Sequence, residues 1–206
     1  MKFFNPGIRP SLLLRKIYPG AIWRFPVAEK FVYLTFDDGP VYGVTDLILD
    51  ILKDFNVKAT FFIVGSNGEK NPGLLQRMLK DGHKIGNHTY DHLNGFYTSK
   101  SKYLKDVEKC AKLIEGDLFR PPYGRMTPLQ YFSLRKKYRI VMWDVLSKDY
   151  DPKISQEECF SNVINHVRNG SIIVFHDSLK ASQTVLNVLP KVLESLLDQE
   201  YRFLLL

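Results

Sequence analysis

Cysteine is scarce in this 206-residue chain, where only Cys110 and Cys159 occur. Two thiols cannot supply the paired spacing of a zinc finger or the framework of a disulfide-stapled miniprotein. Both read as small core hydrophobes, and a single bridge between them is the remaining alternative. Long apolar runs are missing as well. No stretch approaches the ~18 consecutive apolar residues that a membrane-spanning helix needs, so no integral membrane segment is expected. The only apolar stretch near the start, residues 11–14, follows Pro6, Gly7 and Pro10. It is shorter than the ~7–15 residues of a secretory h-region. The expected location is cytoplasmic or membrane-surface-associated, with export only if a signal has been removed. There is no internal repeat, no low-complexity tract, no Gly-rich phosphate loop and no nucleic-acid motif, so nucleic acid is not an expected partner. Nothing in the sequence speaks to oligomeric state.

Acidic residues are outnumbered. Twenty-nine Lys+Arg against 22 Asp+Glu give a net charge of +7. Such a balance serves solubility and also favours an anionic partner by long-range attraction. The bases are scattered, and their densest run is Arg135-Lys136-Lys137. With 45% hydrophobic and 25% charged residues the composition is that of an ordinary globular domain. A chain of this length buries on the order of 70% of its unfolded surface and needs no staple.

Two periodicities alternate along the chain. Short β-rich runs occur at residues 31–36, 59–64, 84–86, 118–119, 138–143, 171–175 and 201–206. Between them, Val44, Leu47, Ile48, Ile51, Leu52 and Phe55 fall on one face of a helix, as do Tyr103, Val107, Cys110, Ala111 and Ile114. The run from Val185 to Leu197 repeats the pattern. Alternating strands and helices predict an α/β fold with a parallel sheet. A complete eight-stranded barrel usually takes ~250 residues, so an open doubly wound sheet or a smaller, irregular barrel of about seven strands suits this length better.

Each unusual polar cluster falls where an expected strand ends, which is where α/β sheets and barrels build their sites. Asp37-Asp38-Gly39-Pro40 closes the first strand. Adjacent carboxylates repel and call for a cation. The competing readings are a polar turn and a magnesium site for phosphoryl transfer. His88 and His92 are four residues apart, so a helical turn would put both imidazoles on one face. With one carboxylate they make the ligand set of many catalytic zinc sites, although Thr89 stands where the metalloprotease motif has Glu. His176 ends an apolar strand, where an imidazole can act as acid or base or sit as a satisfied core residue. Arg120 precedes Pro121 and Pro122, a stiff setting for a guanidinium that grips a carboxylate, or else an ordinary surface arginine. His83 and His166 receive no role.

Assembled in this order, the clusters resemble the motifs of the polysaccharide deacetylases, the family-four carbohydrate esterases. Thr35 to Pro40 matches the Thr-Phe-Asp-Asp-Gly-Pro motif, and His88-Thr89-Tyr90-Asp91-His92 matches His-Ser/Thr-x-x-His. Arg120-Pro121-Pro122-Tyr123 and Val174-Phe175-His176 match two more. The resemblance implies a distorted (β/α) barrel of about seven parallel strands over residues 31–206, with residues 1–30 as an extension packing on it. It implies Asp38, His88 and His92 as metal ligands, Asp37 as catalytic base held by Arg120, and His176 as acid. The metal would be divalent, Zn2+ foremost, with Co2+ or Ni2+ as alternatives. Tyr123 would polarise the acetyl carbonyl through its backbone N–H. One motif departs: where the family has Asp-x-x-Asp-Trp, this chain has Leu146-Ser147-Lys148-Asp149-Tyr150. Asp149 resembles the carboxylate that orients the acid histidine, while Tyr150 replaces the pocket Trp and Trp143 is the candidate to line the pocket. Pro122 and Val174 complete the expected substrate-binding set. The implied activity is removal of acetyl groups from N-acetylated sugar units of a glycan. The alternatives are a non-catalytic glycan-binding relative and an O-acetyl esterase.

Overall fold

Strand β1 (Phe31–Asp37) forms the centre of a single curled parallel sheet. On one side follow β2 (Thr60–Ile63), β3 (Lys84–Asn87), β4 (Leu118–Phe119) and β5 (Arg139–Ile140). On the other lie β7 (Ser171–His176) and then β6 (Val145–Leu146). A last short strand, β8 (Arg202–Phe203), pairs with the start of β1. The coordinates are a computed structural model that describes residues 7–206. The path closes as a half-barrel, the distorted (β/α) barrel expected from the sequence. Residues 22–24 reach both of its flanks, where Ile22 bridges Val141 and Arg24 bridges Ser171.

The two-residue period of strands sorts the side chains into two layers. Val32, Leu34 and Phe36 of β1 and Ile173 and Phe175 of β7 enter the outer core. There they meet Ile48 and Leu52 of α2 (Thr45–Asp54) and Val185, Leu189 and Leu196 of α8 (Ser182–Asp198). Each such fully buried side chain contributes about 1.5–3 kcal/mol. The alternate residues belong to the barrel interior, with Tyr33 and Ile172 packed beside Phe62, Leu118 and Val141 near its base. Continuing the same alternation towards the carboxyl ends brings Thr35 and Asp37 of β1 and Val174 and His176 of β7 onto that interior side. Cys110 and Cys159 are both buried and unpaired, so the bridge left open by the sequence does not form.

Three expected helices are present, as α2, α5 (Lys100–Ala111) and α8. Shorter ones had too few apolar positions to show a period: α1 (Leu12–Ile17), α3 (Gly65–Lys70), α4 (Pro72–Lys80), α6 (Pro128–Leu134) and α7 (Gln156–Ile164). The last two nevertheless carry a local signal, because Thr127/Gln130 and Ser155/Glu158 form reciprocal capping boxes at their starts. The expected strand at 138–143 is corrected. Only Arg139–Ile140 pairs with β4, and the chain then crosses to the opposite flank, where Val145–Leu146 pairs with β7. Met142 and Trp143 turn into a second apolar cluster with Tyr18, Trp23, Tyr103 and Tyr131 instead of extending a strand. The expected strand at 201–206 shrinks to Arg202–Phe203.

Of the expected extension over residues 1–30, residues 1–6 lie outside the described residues. In the remainder, Leu14 and Ile17 pack on the second cluster. Tyr18 Oη donates to Met126 O (2.8 Å) and accepts from Met126 N (2.9 Å). Arg15 reaches the fully buried Asp144 at 3.0 Å.

Candidate active site

Parallel strands in register place their ends side by side. Asp37 and His176 are paired positions on β1 and β7, so both side chains enter the same cleft from neighbouring strands. Opposite them, Arg120 follows β4 and is buried to 1% exposure. Its Nη1 donates to Asp37 Oδ1 (2.6 Å) and Thr35 Oγ1 (2.8 Å), and its Nη2 donates to Met142 O (2.9 Å). Its guanidinium carbon lies 4.1 Å from the Phe62 ring centre. Of the two readings of Arg120, the gripping fork is therefore the observed one, because a buried guanidinium must satisfy all its donors. The charge that Asp37 requires is supplied by the protein itself.

Asp38 turns the other way. A left-handed backbone (φ 86°) points its carboxylate toward His88 and His92. His92 Nε2 is 3.1 Å from Asp38 Oδ1 and His88 Nε2 is 3.7 Å from it. The helical turn expected for residues 88–92 is corrected here. The segment is a loop in which Thr89 (φ 64°) and His92 (φ 53°) are left-handed, and these turns bring the imidazoles together. Asn67 Nδ2 donates to Asp38 O (2.7 Å) and so holds the separate loop that follows β1. The donor atoms of Asp38, His88 and His92 lie within 4.8 Å of one another, among the described residues the group able to hold a metal ion.

The chemistry of the donors fits a dication. His88 Nδ1 meets Arg120 O at 2.8 Å, and a carbonyl can only accept. The proton therefore sits on Nδ1 and the Nε2 lone pair faces Asp38, the tautomer that a ligating histidine requires. Burial pushes the His88 pKa down to about 4, against the opposing pull of Asp37, which keeps the ring neutral. Burial works against ionisation of Asp38, yet the His92 hydrogen bond and the charge of His176 hold its carboxyl well below the usual range.

His176 has the opposite character. Its Nδ1 bonds Asp149 Oδ1 at 2.8 Å and its backbone N–H donates to Asp149 Oδ2 at 2.7 Å, while Ser147 Oγ also donates to Asp149. Burial opposes a charge on the ring, but Asp149, with Asp38 and Asp37 farther off, overrides it and lifts the pKa to about 9. The imidazolium is thus the form present at neutral pH.

The cleft has a volume of about 530 Å³. Ten of the twelve expected site residues line it, with Tyr123 against His92 and Tyr150 against His176, each pair 4.7 Å between ring centres. Two do not: Asp149 stands behind His176, and Pro122 is buried in the turn at Pro122–Gly124. Pro122 shapes the turn in which Tyr123 takes φ 60°. Leu146 and Val174 give the cleft an apolar wall beside Trp143.

Sequence reasoning missed Ser178 and Lys180, which line the cleft from the loop after β7, and Asp177. The buried Asp177 carboxylate accepts from Gly39 N (2.8 Å) and Thr45 Oγ1 (2.7 Å), and Asp177 N donates to Asp37 O (3.0 Å). Burial raises its pKa to about 7. A Cβ on Gly39 would lie 1.8 Å from this carboxylate, so the glycine in the Asp-Asp-Gly-Pro turn is required by close approach. Asp177 stands beside His176 in the polar cluster at the end of β7, but strand alternation sends its side chain away from the cleft, so the sequence assigns it no role.

Half-barrel and cleft together define an α/β-barrel protein with a His-His-Asp triad beside an Asp–Arg pair and a His–Asp pair. The chain belongs to the polysaccharide deacetylase family, whose profile matches residues 25–138. It is similar to a peptidoglycan-N-acetylglucosamine deacetylase of Bacillus cereus, with 35% identity over 193 residues covering 88% of each chain. Among solved structures it resembles the Bc1960 peptidoglycan N-acetylglucosamine deacetylase bound to a naphthalenyl N-hydroxybenzamide. There the TM-score is 0.85, with 33% identity and 91% of each chain covered. It also resembles a family 4 acetyl xylan esterase from Clostridium thermocellum in complex with cobalt. That match has a TM-score of 0.79 and 30% identity, covering 85% of this chain and 88% of the other.

Proposed function

We propose that this protein is a divalent-metal-dependent hydrolase that removes acetyl groups from N-acetylated sugar units of a glycan. The observation that carries the reading is one cleft holding an arginine-bound carboxylate and a carboxylate-bound histidine on register-paired positions, next to a His-His-Asp triad. Asp38, His88 and His92 would hold the metal, Zn2+ foremost. A divalent ion there supplies Lewis acidity, which makes water nucleophilic near neutral pH and polarises an acyl carbonyl.

Asp37 takes a proton from the attacking water as the new C–O bond forms, and Arg120 keeps its carboxylate fixed for that step. The Tyr123 backbone N–H is assigned to the acyl oxygen, where one such donor contributes on the order of 3 kcal/mol. The methyl group of the acetyl is assigned to the apolar wall of Leu146, Val174 and Trp143. His176 then gives its proton to the nitrogen as the C–N bond breaks, releasing acetate and the free amine. Asp149 compensates the charge of His176 until that transfer.

The test is acetate release from N-acetylglucosamine oligomers by metal-stripped protein, with and without added Zn2+ or Co2+. Metal-restored release supports the reading. Tight metal uptake with no release from these oligomers, but release from O-acetylated xylan, favours the esterase reading suggested by the acetyl xylan esterase neighbour. Failure to bind metal overturns the site.

A further inference from the structure

Three acid-free segments of the chain, distant in sequence, pack against one another in the fold. Three stretches, residues 7–28, 92–105 and 118–143, contain no acidic residue. They hold 13 of the 29 Lys and Arg, and the remaining 16 face all 22 acids. The positive excess of the chain therefore resides in these stretches.

The fold packs the three together. Tyr18 exchanges two hydrogen bonds with the Met126 backbone, and Tyr131 Oη donates to Pro19 O. Gln130 Nε2 donates to Gly95 O (3.0 Å) and Thr98 O (2.9 Å). Beneath, all three contribute to one apolar cluster through Tyr18, Tyr103 and Tyr131. Their outer sides expose large apolar groups: Leu12 (78%), Tyr97 (85%), Leu129 (67%) and Phe132 (49%). Lys16, Lys100, Lys102, Arg135, Lys136 and Lys137 are exposed on the same segments. Among the described residues, ion pairs occupy Arg15, Arg120 and Arg139 of these stretches, and none is formed by Lys16, Lys102, Lys136 or Lys137. The Arg135 guanidinium lies over the rings of Tyr131 and Phe132, at 5.6 and 5.8 Å.

We propose that this face docks the protein on an anionic lipid surface. Unpaired bases are drawn to acidic headgroups, and exposed leucine, phenylalanine and tyrosine enter the headgroup–acyl boundary. A soluble polyanion would use the bases but has no use for Leu129 and Phe132. The third stretch also carries Tyr123 and Arg125 into the cleft, so docking holds the cleft beside the surface.

The test is flotation of the full chain with phosphatidylcholine vesicles, with and without about 30 mol% phosphatidylglycerol, at low and high salt. Binding is expected only to the anionic vesicles and weakens with salt. The pair Lys136→Gln and Lys137→Gln should weaken it about 25-fold, at about fivefold per charge. The pair Leu129→Ser and Phe132→Ser should weaken it at least about tenfold. Both variants keep the thermal unfolding and acetate release of the parent in solution, which separates this result from any failure of the deacetylase reading. Absence of binding to anionic vesicles overturns the proposal. So does binding that depends on the lysines but is indifferent to the apolar pair, the behaviour of a face for a soluble polyanion.

Discussion

Replacing Asp149 by Asn isolates the element that sets the proton affinity of His176. The Asp149 side chain is fully buried and meets His176 twice, at the ring Nδ1 (2.8 Å) and the backbone N–H (2.7 Å). Asparagine preserves the shape and can still accept the backbone N–H, but it removes the negative charge that overrides burial and lifts the His176 pKa to about 9. With that charge gone, burial draws the pKa of the ring down from about 9 against the remaining pull of Asp38 and Asp37. Each pH unit of that drop corresponds to about 1.36 kcal/mol of lost preference for the imidazolium. The assay is kcat/KM for acetate release between pH 5 and 10 with zinc present. An acid that must be protonated places an alkaline limb near its own pKa, so that limb should move to lower pH in the variant. Above the displaced limb the variant should be slower by about tenfold for each pH unit that the limb moves. Stability moves with the same sign. Because the folded pKa is raised, the pair stabilises fully below pH 6.5, and that contribution is lost as pH rises through about 9. The gap in urea midpoints between parent and variant should accordingly narrow across this window. An alkaline limb that stays in place in Asp149→Asn refutes the assignment of His176 as the proton donor.

The other predictions concern the opposite half of the cleft. Asp37→Asn should leave zinc uptake intact, measured by calorimetry, and lower turnover by about 10²–10⁴-fold, whereas near-normal turnover would remove Asp37 as the base. Arg120→Met strands the buried Asp37 carboxylate and should cost about 3–5 kcal/mol in urea unfolding. A loss under about 1 kcal/mol would contradict a fully buried pair. Gly39→Ala forces a methyl to within 1.8 Å of the Asp177 carboxylate and displaces the loop that carries Asp38. Zinc affinity should fall about 10–100-fold, and an unchanged affinity would mean that the loop is not set by Asp177.

Local chemistry was readable directly from the chain. Asp37-Asp38-Gly39-Pro40, the His88/His92 spacing, Arg120 before two prolines and His176 after an apolar run are short-range patterns, and each stands at a strand end where parallel folds expose their sites. The alternation of strand and helix predicted the fold class because burial on one face leaves a period in the sequence. Helices α1, α3, α4, α6 and α7, of six to nine residues, left too short a period to be seen.

Tertiary structure decided the rest, because the remaining relations join residues far apart in the chain. Asp37 faces His176 only through the register of β1 with β7, and its charge is balanced by Arg120, which arrives from β4. Left-handed turns at Asp38, Thr89 and His92, rather than a helical face, bring the side chains of Asp38, His88 and His92 together. Asp177 and Lys180 act on the cleft without any local motif, and the three acid-free stretches form one basic face only after the chain has packed them on a common core. Sequence alone specified which groups were available. Register, burial and close approach, which depend on long-range packing, determined which of them meet.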